Sequence, residues 1–365
     1  MATPEDIRRA NRGLLLRTLH RDGPLSRADL AKVTGLTRAS VSAVVRDLMD
    51  DAVVEELGLS TAGGVGKPAT LVDVAADGRH VLCVDLSEPA RFVGAIVNLA
   101  GKVVVRRTYD RKSRTGTSAV TLVRRICREL VADAERPLLG IGVASPGIVD
   151  ARGVVVTAAH LGWTGVPLGA DLTSTFGVPV AVINDANAAA LAELTFGQTD
   201  GGVPSNLICV RVDEGVGAGL VLDGRLFTGS TYAAGEIGHV VVAPDGAPCA
   251  CGKRGCLETE VSEPLLAGRL EAAAGDGAAV LERAGQHLGT ALATVVSALD
   301  VADVVLSGSG SVATETFRAA AAAAIAARTM PVLAERLVVR PSTFGFDDVV
   351  VGAAARILDQ ELGIR

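Results

Sequence analysis

A histidine and three cysteines lie close together in the second half of the chain: His239, Cys249, Cys251 and Cys256, spaced H-x9-C-x-C-x4-C, with Gly252 and Gly255 between the thiols. One imidazole and three thiolates form the donor set of a closed, tetrahedral structural zinc site, and the Cys249-Ala250-Cys251 hairpin is too tight to serve much else. Structural Zn2+ is therefore the expected cofactor. The other three cysteines, Cys83, Cys127 and Cys209, each fall inside an apolar run and read as small core hydrophobes. The N-terminus carries no secretory pattern, so the chain is expected in the cytoplasm, where clustered thiols are metal ligands more often than disulfides.

A second chemistry sits at the other end. Leu25-Ser26-Arg27-Ala28-Asp29-Leu30-Ala31 begins like a capped helix, Gly35 breaks it, and Thr37 caps another that runs to Leu48. That is helix-turn-helix spacing. Leu30, Ala31, Val41 and Leu48 fall on inward faces; Arg27, Thr37, Arg38, Ser40, Ser42 and Arg46 supply the short donors and charges that base edges and phosphates accept. A helix over Asn11–Arg21 precedes the pair. Strands over Val53–Leu57 and Ala69–Asp73 follow it, flanking Gly63–Pro68, so Lys67 is expected at the tip of a wing. Double-stranded DNA is the partner this segment implies. A helical protein-interaction module is the bland alternative, and the basic outward face and the wing argue against it.

Composition limits what positions these residues. The chain has 365 residues, 49% of them hydrophobic, with 42 glycines and only 3% aromatics, which describes an α/β protein packed with Ala, Val and Leu. Its longest apolar stretch, Ala319–Ala327, is far short of the ~20 residues that span a bilayer, so no membrane partner is expected. The net charge of −6 looks wrong for a DNA binder until it is divided by region: residues 1–75 hold ten Lys/Arg and ten Asp/Glu, leaving the whole imbalance to the rest.

Beyond residue 75 strand and helix patterns alternate. Strands are expected at Val81–Leu86, Phe92–Leu99 and Val103–Tyr109, then a helix over Ser118–Ala134 and a buried strand at Leu139–Ala144. A similar order recurs, with strands at Asn206–Val212, Ala218–Leu222 and Leu226–Gly229 and helices Ala284–Leu299 and Thr314–Arg328 around a strand at Asp303–Leu306. Two such halves predict a duplicated α/β architecture with a ligand cleft between lobes.

The run Gly235-Glu236-Ile237-Gly238-His239 leading to the three cysteines and Glu258 resembles the signature of the ROK family (repressors, open reading frames and sugar kinases), as do Asn184-Asp185-Ala186-Asn187 and Ser145-Pro146-Gly147. The resemblance covers nearly the whole chain, and the winged segment places it with the family's transcription-factor branch. It implies an N-terminal winged helix-turn-helix followed by a two-lobed actin/hexokinase-like domain. The expected divisions are residues 1–75, lobe 1 over 76–190 with a C-terminal helix at 350–365 returning to it, and lobe 2 over 191–349 with the zinc site. It also implies a sugar or sugar-derivative effector held by Asn184, Asp185, Glu236, His239 and Glu258, with Gly147 letting backbone approach the ring. These groups pair well with hydroxyls, which both donate and accept. Asn184 and Asp185 serve equally as caps for the Ala-rich helix after them. The expected assembly is a homodimer or homotetramer on palindromic DNA.

Enzyme or regulator is decided at the phosphate loops. Family kinases carry Asp-x-Gly-Gly-Thr, whose glycines let backbone N–H groups reach nucleotide phosphates. Here the matching stretch is Asp85-Leu86-Ser87-Glu88-Pro89: both glycines are gone, Glu88 adds negative charge, and Pro89 removes a donor. The second loop, Asp213–Gly219, and Ser307–Gly310 are better kept. The expectation is a sugar-responsive transcriptional regulator, a repressor of carbohydrate genes, without turnover; the alternative is an ATP-dependent sugar kinase with Asp185 as general base. His160-Leu161-Gly162-Trp163 departs from the family's Asn-Leu-Gly-Trp, and Trp163, the single tryptophan, is expected near the cleft.

Overall fold

The computed structural model describes residues 3–59, 69–197, 205–273, 275–308, 310–312 and 314–364. Its N-terminal portion is built from three helices, Pro4–Asp22, Arg27–Thr34 and Arg38–Asp50, and a small antiparallel sheet in which Thr70–Val74 lies between Leu25–Ser26 and Val54–Leu59. Local chemistry sets each boundary. Ser26 and Thr37 cap the second and third helices by accepting from the N–H groups of Asp29 and Ser40, both at 3.1 Å, and Gly35 closes the second in the left-handed region at φ 71°. Leu15, Leu16, Leu19, Leu30, Val41, Val45 and Leu48 bury together beneath the ribbon. The first helix starts seven residues before the expected Asn11, because Thr3 and Asp6 form a reciprocal capping box and Pro4 presets the first turn. The expected wing tip, Gly63–Pro68 with Lys67, lies outside the described residues.

Beyond the N-terminal portion, a small antiparallel sheet of Ile148–Val149, Val155–Ala158 and Trp163–Val166 accompanies two five-stranded sheets, and these two repeat one topology. In the first, His80–Asp85, Arg91–Asn98 and Val103–Asp110 form an antiparallel meander, while Leu138–Ser145 and then Val180–Asn184 add in parallel on the other side. In the second, Leu207–Val212, Val216–Leu222 and Arg225–Phe227 form the meander, and Asp303–Gly308 and Val338–Pro341 add in parallel. The duplicated α/β plan is therefore present. Helix Gly116–Asp133 covers one face of the first sheet, and Gly277–Leu299 and Glu315–Ala326 pack beside the second. The helix expected from Ala284 begins at Gly277, because Gly277-Ala278-Ala279 give no apolar period and Glu282-Arg283 separate Val280 and Leu281 from the clear repeat that follows.

Two helices lie between the sheets: Asp185–Phe196 and Asp348–Leu362. The first is rich in Ala and Leu and buried on every side from Ala186 to Thr195, Asn187, Glu193 and Thr195 being the polar side chains it carries inside. They pack almost backbone to backbone: a Cβ on Gly352 would stand 1.7 Å from the Ala188 carbonyl oxygen, so only glycine permits the approach. Buried Glu193 holds the first helix to the edge of the second sheet, accepting from Arg340 Nη1 at 2.8 Å and from the Thr343 N–H at 2.6 Å.

Candidate ligand cleft, metal cluster and DNA-facing helix

Strand Val180–Asn184 ends where helix Asp185–Phe196 begins, so Asn184 and Asp185 emerge at a helix N-terminus. Asn184 caps that helix through Oδ1, which accepts from the Asn187 N–H at 3.0 Å, and its Nδ2 donates to the Gly147 carbonyl at 2.9 Å and to Asp185 Oδ1 at 3.1 Å. The capping role and the cleft position thus coincide. Gly147 joins the group, for a reason other than approach to a ring: its φ is 81°, and a Cβ would stand 2.0 Å from the Thr157 carbonyl oxygen. The protein's own backbone demands the glycine.

On the second lobe Glu236, His239 and Glu258 gather. His239 turns Nδ1 to Cys249 Sγ at 3.6 Å and Nε2 to Glu236 Oε2 at 3.9 Å. Glu258 Oε2 accepts from the Val216 N–H at 3.2 Å. Burial and the Glu258 charge raise the Glu236 carboxyl above its ordinary range, against the pull of His239. Strand Val216–Leu222 stands between the two sets, with a Cβ on Gly219 only 2.5 Å from the Ala186 carbonyl oxygen.

His239, Cys249, Cys251 and Cys256 come together as the spacing predicts, their ligand atoms all within 4.8 Å of one another. Cys251 and Cys256 sulfurs are 3.6 Å apart. Four donors around one zinc at ~2.0–2.3 Å place neighbouring donors at roughly 3.5–3.8 Å, so the set fits. Backbone shapes the knuckle: Cys249 N–H donates to the Lys253 carbonyl at 2.8 Å, and a Cβ on Gly255 would lie 1.5 Å from the Ala243 carbonyl oxygen. Desolvation and the neighbouring thiols push the Cys256 thiol up to about 12.

Sequence reasoning missed the largest charged feature of the cleft. Arg211, buried on strand Leu207–Val212, donates from Nη1 to Asp348 Oδ1 at 3.2 Å and from Nη2 to Ser87 Oγ at 3.1 Å and to Asp213 Oδ2, and its Nε lies 3.9 Å from Asp185 Oδ2. Ser87 belongs to the first expected phosphate loop and Asp213 to the second, so one guanidinium bridges both. Burial opposes its charge, and the carboxylates of Asp348, Asp213, Asp85 and Asp185 more than offset that. Burial pushes Asp185 up to about 6; Arg211 pulls it down, and Asp85 and Asp213 push it further up. Asp348 and Asp213 are also raised, chiefly by burial. The available signal was a lone arginine in the otherwise apolar run Leu207–Val212.

Trp163 is buried, 2% exposed in the first lobe's core, its Nε1–H donating to the Gly116 carbonyl at 2.9 Å. On the third helix of the N-terminal portion Arg38, Ala39, Ala43 and Arg46 are exposed, whereas Ser40 and Ser42 are half-buried at the edge of that face, Ser42 falling short of the outward position expected for it. Thr37 and Ser40 hydroxyls hydrogen-bond each other at 2.9 Å. Arg27 is drawn to the ribbon, donating to Glu56 Oε1 at 2.8 Å.

Comparison with known proteins decides the relationship. Residues 81–360 match the ROK family, and residues 8–60 match the winged helix-turn-helix DNA-binding family. The chain belongs to the ROK family. A relative in that family, the xylose repressor of Bacillus subtilis, is 29% identical over 266 residues, covering 71% of this chain and 67% of that one. A solved structure of a ROK family transcriptional regulator, a homologue of the Escherichia coli Mlc protein, superposes with a TM-score of 0.83 at 26% identity over 98% of each chain. A ROK glucokinase from Streptomyces griseus, solved with glucose and AMPPNP, shares the fold with a TM-score of 0.65 at 24% identity, covering 75% of this chain and 98% of that one. The architecture is thus a winged helix-turn-helix followed by a ROK domain of actin/hexokinase-like fold.

Proposed function

We propose that this protein is a sugar-responsive DNA-binding transcriptional regulator, a repressor of carbohydrate uptake or catabolism genes, acting in the cytoplasm as a homodimer or homotetramer. One observation carries the reading: a winged helix-turn-helix segment with exposed Arg38 and Arg46 is fused to a ROK body whose cleft groups polar side chains suited to a polyol. The described residues contain no helix long and apolar enough to cross a membrane. The solved ROK transcriptional regulator matches over 98% of this chain, winged segment and body together, which supports the assignment.

Asn184, Asp185, Glu236, His239 and Glu258 hold the sugar hydroxyls in this reading, with carboxylates accepting and the Asn184 amide and the imidazole donating. His239, Cys249, Cys251 and Cys256 hold a structural zinc, which supplies a fixed positive centre that keeps the His239 ring in place through Nδ1 and leaves Nε2 on the Glu236 side. Arg38 and Arg46 meet phosphates or base edges, and Arg27, Thr37, Ser40, Ser42 and Lys67 lie along the same element or its wing. Catalysis is disfavoured by Arg211: it joins Ser87 to Asp213 across the two loops that a kinase would open to phosphates.

Ligand binding acts by population shift, favouring one relative placement of the lobes and hence of two winged domains on their half-sites. A coupling of ~1–3 kcal/mol gives a five- to 150-fold change in operator affinity. The test is fluorescence anisotropy on DNA from upstream of the protein's own gene, against an unrelated duplex, with D-xylose, D-glucose and their phosphates. Specific binding that shifts with a sugar is expected. Sequence-independent binding, or ATP-dependent sugar phosphorylation lost in Asp185→Asn, would overturn it.

A further inference from the structure

The two helices between the sheets have a second set of partners. Their N-terminal ends face the cleft: Asp185 opens one, Asp348 opens the other, and both approach Arg211 of the second lobe. Their C-terminal ends meet the first helix of the winged domain. The Thr195 carbonyl takes a 2.6 Å hydrogen bond from His20 Nε2, which must be the protonated nitrogen because a carbonyl only accepts. Phe196 stacks edge-on against the His20 ring with centroids 5.7 Å apart. From the other helix the Gln360 carbonyl accepts from Arg9 Nη2 at 3.2 Å and the Gly363 carbonyl from Arg17 Nη1 at 2.9 Å. These are helix-end carbonyls, left without intrahelical partners and carrying partial negative charge, so cations on the winged domain are matched to them.

The apolar packing follows the same line. A single buried cluster contains Leu15, Leu16 and Leu19 of the winged domain together with Leu191 and Leu194 of one helix and Leu358 and Leu362 of the other. At ~1.5 Å per residue the helices reach about 18 and 22 Å, the distance from cleft to winged domain. At Gly352 the two backbones are in direct contact, since even a Cβ there would stand 1.7 Å from the Ala188 carbonyl oxygen, and this ties the helices together. A close-packed pair of this kind transmits a shift at one end as a shift at the other.

We propose that the paired helices Asp185–Phe196 and Asp348–Leu362 carry the state of the cleft to the winged domain, with Arg211 positioned to sense it at their N-terminal ends and Arg17 and His20 receiving it at their C-terminal ends. This rests on the regulator reading above. A ligand that engages Asp185 competes with Arg211 for that carboxylate, and the helix beginning at Asp185 moves with whichever partner holds it. Contiguity alone does not establish coupling, which has to be measured as an interaction between sites.

The experiment uses the full-length protein, DNA from upstream of its gene, and D-xylose and D-glucose as probes, with operator affinity and sugar affinity measured separately for wild type, Arg17→Ala/His20→Ala and His20→Gln. The double variant is expected to keep sugar affinity and sugar-free operator affinity while the sugar-induced change in operator affinity collapses toward unity. His20→Gln, whose side-chain amide can still donate to Thr195, retains part of the response. Arg211→Lys supplies a test that needs no sugar: it changes operator affinity from a site that does not touch DNA, and the change disappears when combined with Arg17→Ala/His20→Ala. An undiminished sugar response in the double variant, with an unchanged effect of Arg211→Lys, overturns the proposal while leaving the regulator reading standing. Absence of specific operator binding by the wild type overturns both.

Discussion

Asp185 gives the sharpest prediction because its position is costly. Its carboxyl is pushed up to about 6 from an ordinary 3.8, first by burial. A carboxyl whose pKa is raised in the folded state favours folding in its protonated form: the benefit is complete below pH 3.8 and is lost as pH rises through about 6. Keeping this side chain ionised in the folded protein at neutral pH therefore costs about 3 kcal/mol. Asp185→Asn removes that ionisation. Its Oδ1 still accepts the 3.0 Å bond from the Ala186 N–H, but its amide nitrogen faces Arg211 Nε, a donor against a donor, which takes back ~1 kcal/mol. The net expectation is a variant more stable than wild type by about 2 kcal/mol above pH 7, with the difference shrinking as pH falls toward 4. Urea unfolding at pH 4, 5, 6, 7 and 8, followed by circular dichroism, reads it directly. A variant less stable at pH 7 to 8, with the same slope as wild type below pH 6, would mean that Arg211 holds the carboxylate charged and that burial does not dominate at this site.

Removing the metal, or replacing Cys251 by Ser, should lower zinc content measured by inductively coupled plasma mass spectrometry and expose the 235–258 segment to protease, since binding energy at such a site is partly folding energy. A zinc-free protein with unaltered digestion would exclude a structural metal. Arg38→Ala should weaken operator binding and reduce the slope of log affinity against log salt by about 1, which anisotropy titrations over a salt series would show; an unchanged slope would remove Arg38 from the phosphates. Gly147→Ala should cost about 2–4 kcal/mol, because the φ of 81° and the 2.0 Å approach to Thr157 both exclude a Cβ; a denaturant midpoint equal to wild type would show that the loop yields freely.

Much of this molecule was legible in its sequence, and the reasons are local. Ser26, Gly35 and Thr37 mark helix ends by short-range hydrogen bonding, so the helix-turn-helix could be placed without tertiary information. The convergence of His239, Cys249, Cys251 and Cys256 was equally legible, since a spacing of one residue between Cys249 and Cys251 leaves the backbone few ways to close. What escaped depends on partners far away in the chain. Arg211 meets Ser87, Asp348 and Asp185 only because two sheets face each other, and nothing near residue 211 announces them. The partner of the Trp163 indole escaped for the same reason: its N–H is satisfied in a dry core by the carbonyl of Gly116, 47 residues away in the chain. The start of the first helix, by contrast, was written in Thr3-Pro4-Glu5-Asp6 and could have been read from capping chemistry alone.

The charge of the cleft explains how one fold can support either phosphoryl transfer or signalling. A nucleotide is a polyanion and needs several donors or a cation to replace its water. Here the groups around the two loops include Asp85, Glu88, Asp213 and Glu263, and burial together with their mutual repulsion already raises Asp213 above its ordinary range. The nearest guanidinium, that of Arg211, is already surrounded by the carboxylates of Asp348, Asp213, Asp85 and Asp185. Adding phosphates would place more negative charge where negative charge is already in excess, whereas a neutral sugar adds none and offers hydroxyl donors to those same carboxylates. A neutral polyol can therefore exchange partners with Arg211 at little electrostatic cost. In the regulator reading proposed above, that exchange would be the switch, with Asp185 facing a hydroxyl in one arrangement and the Arg211 guanidinium in the other.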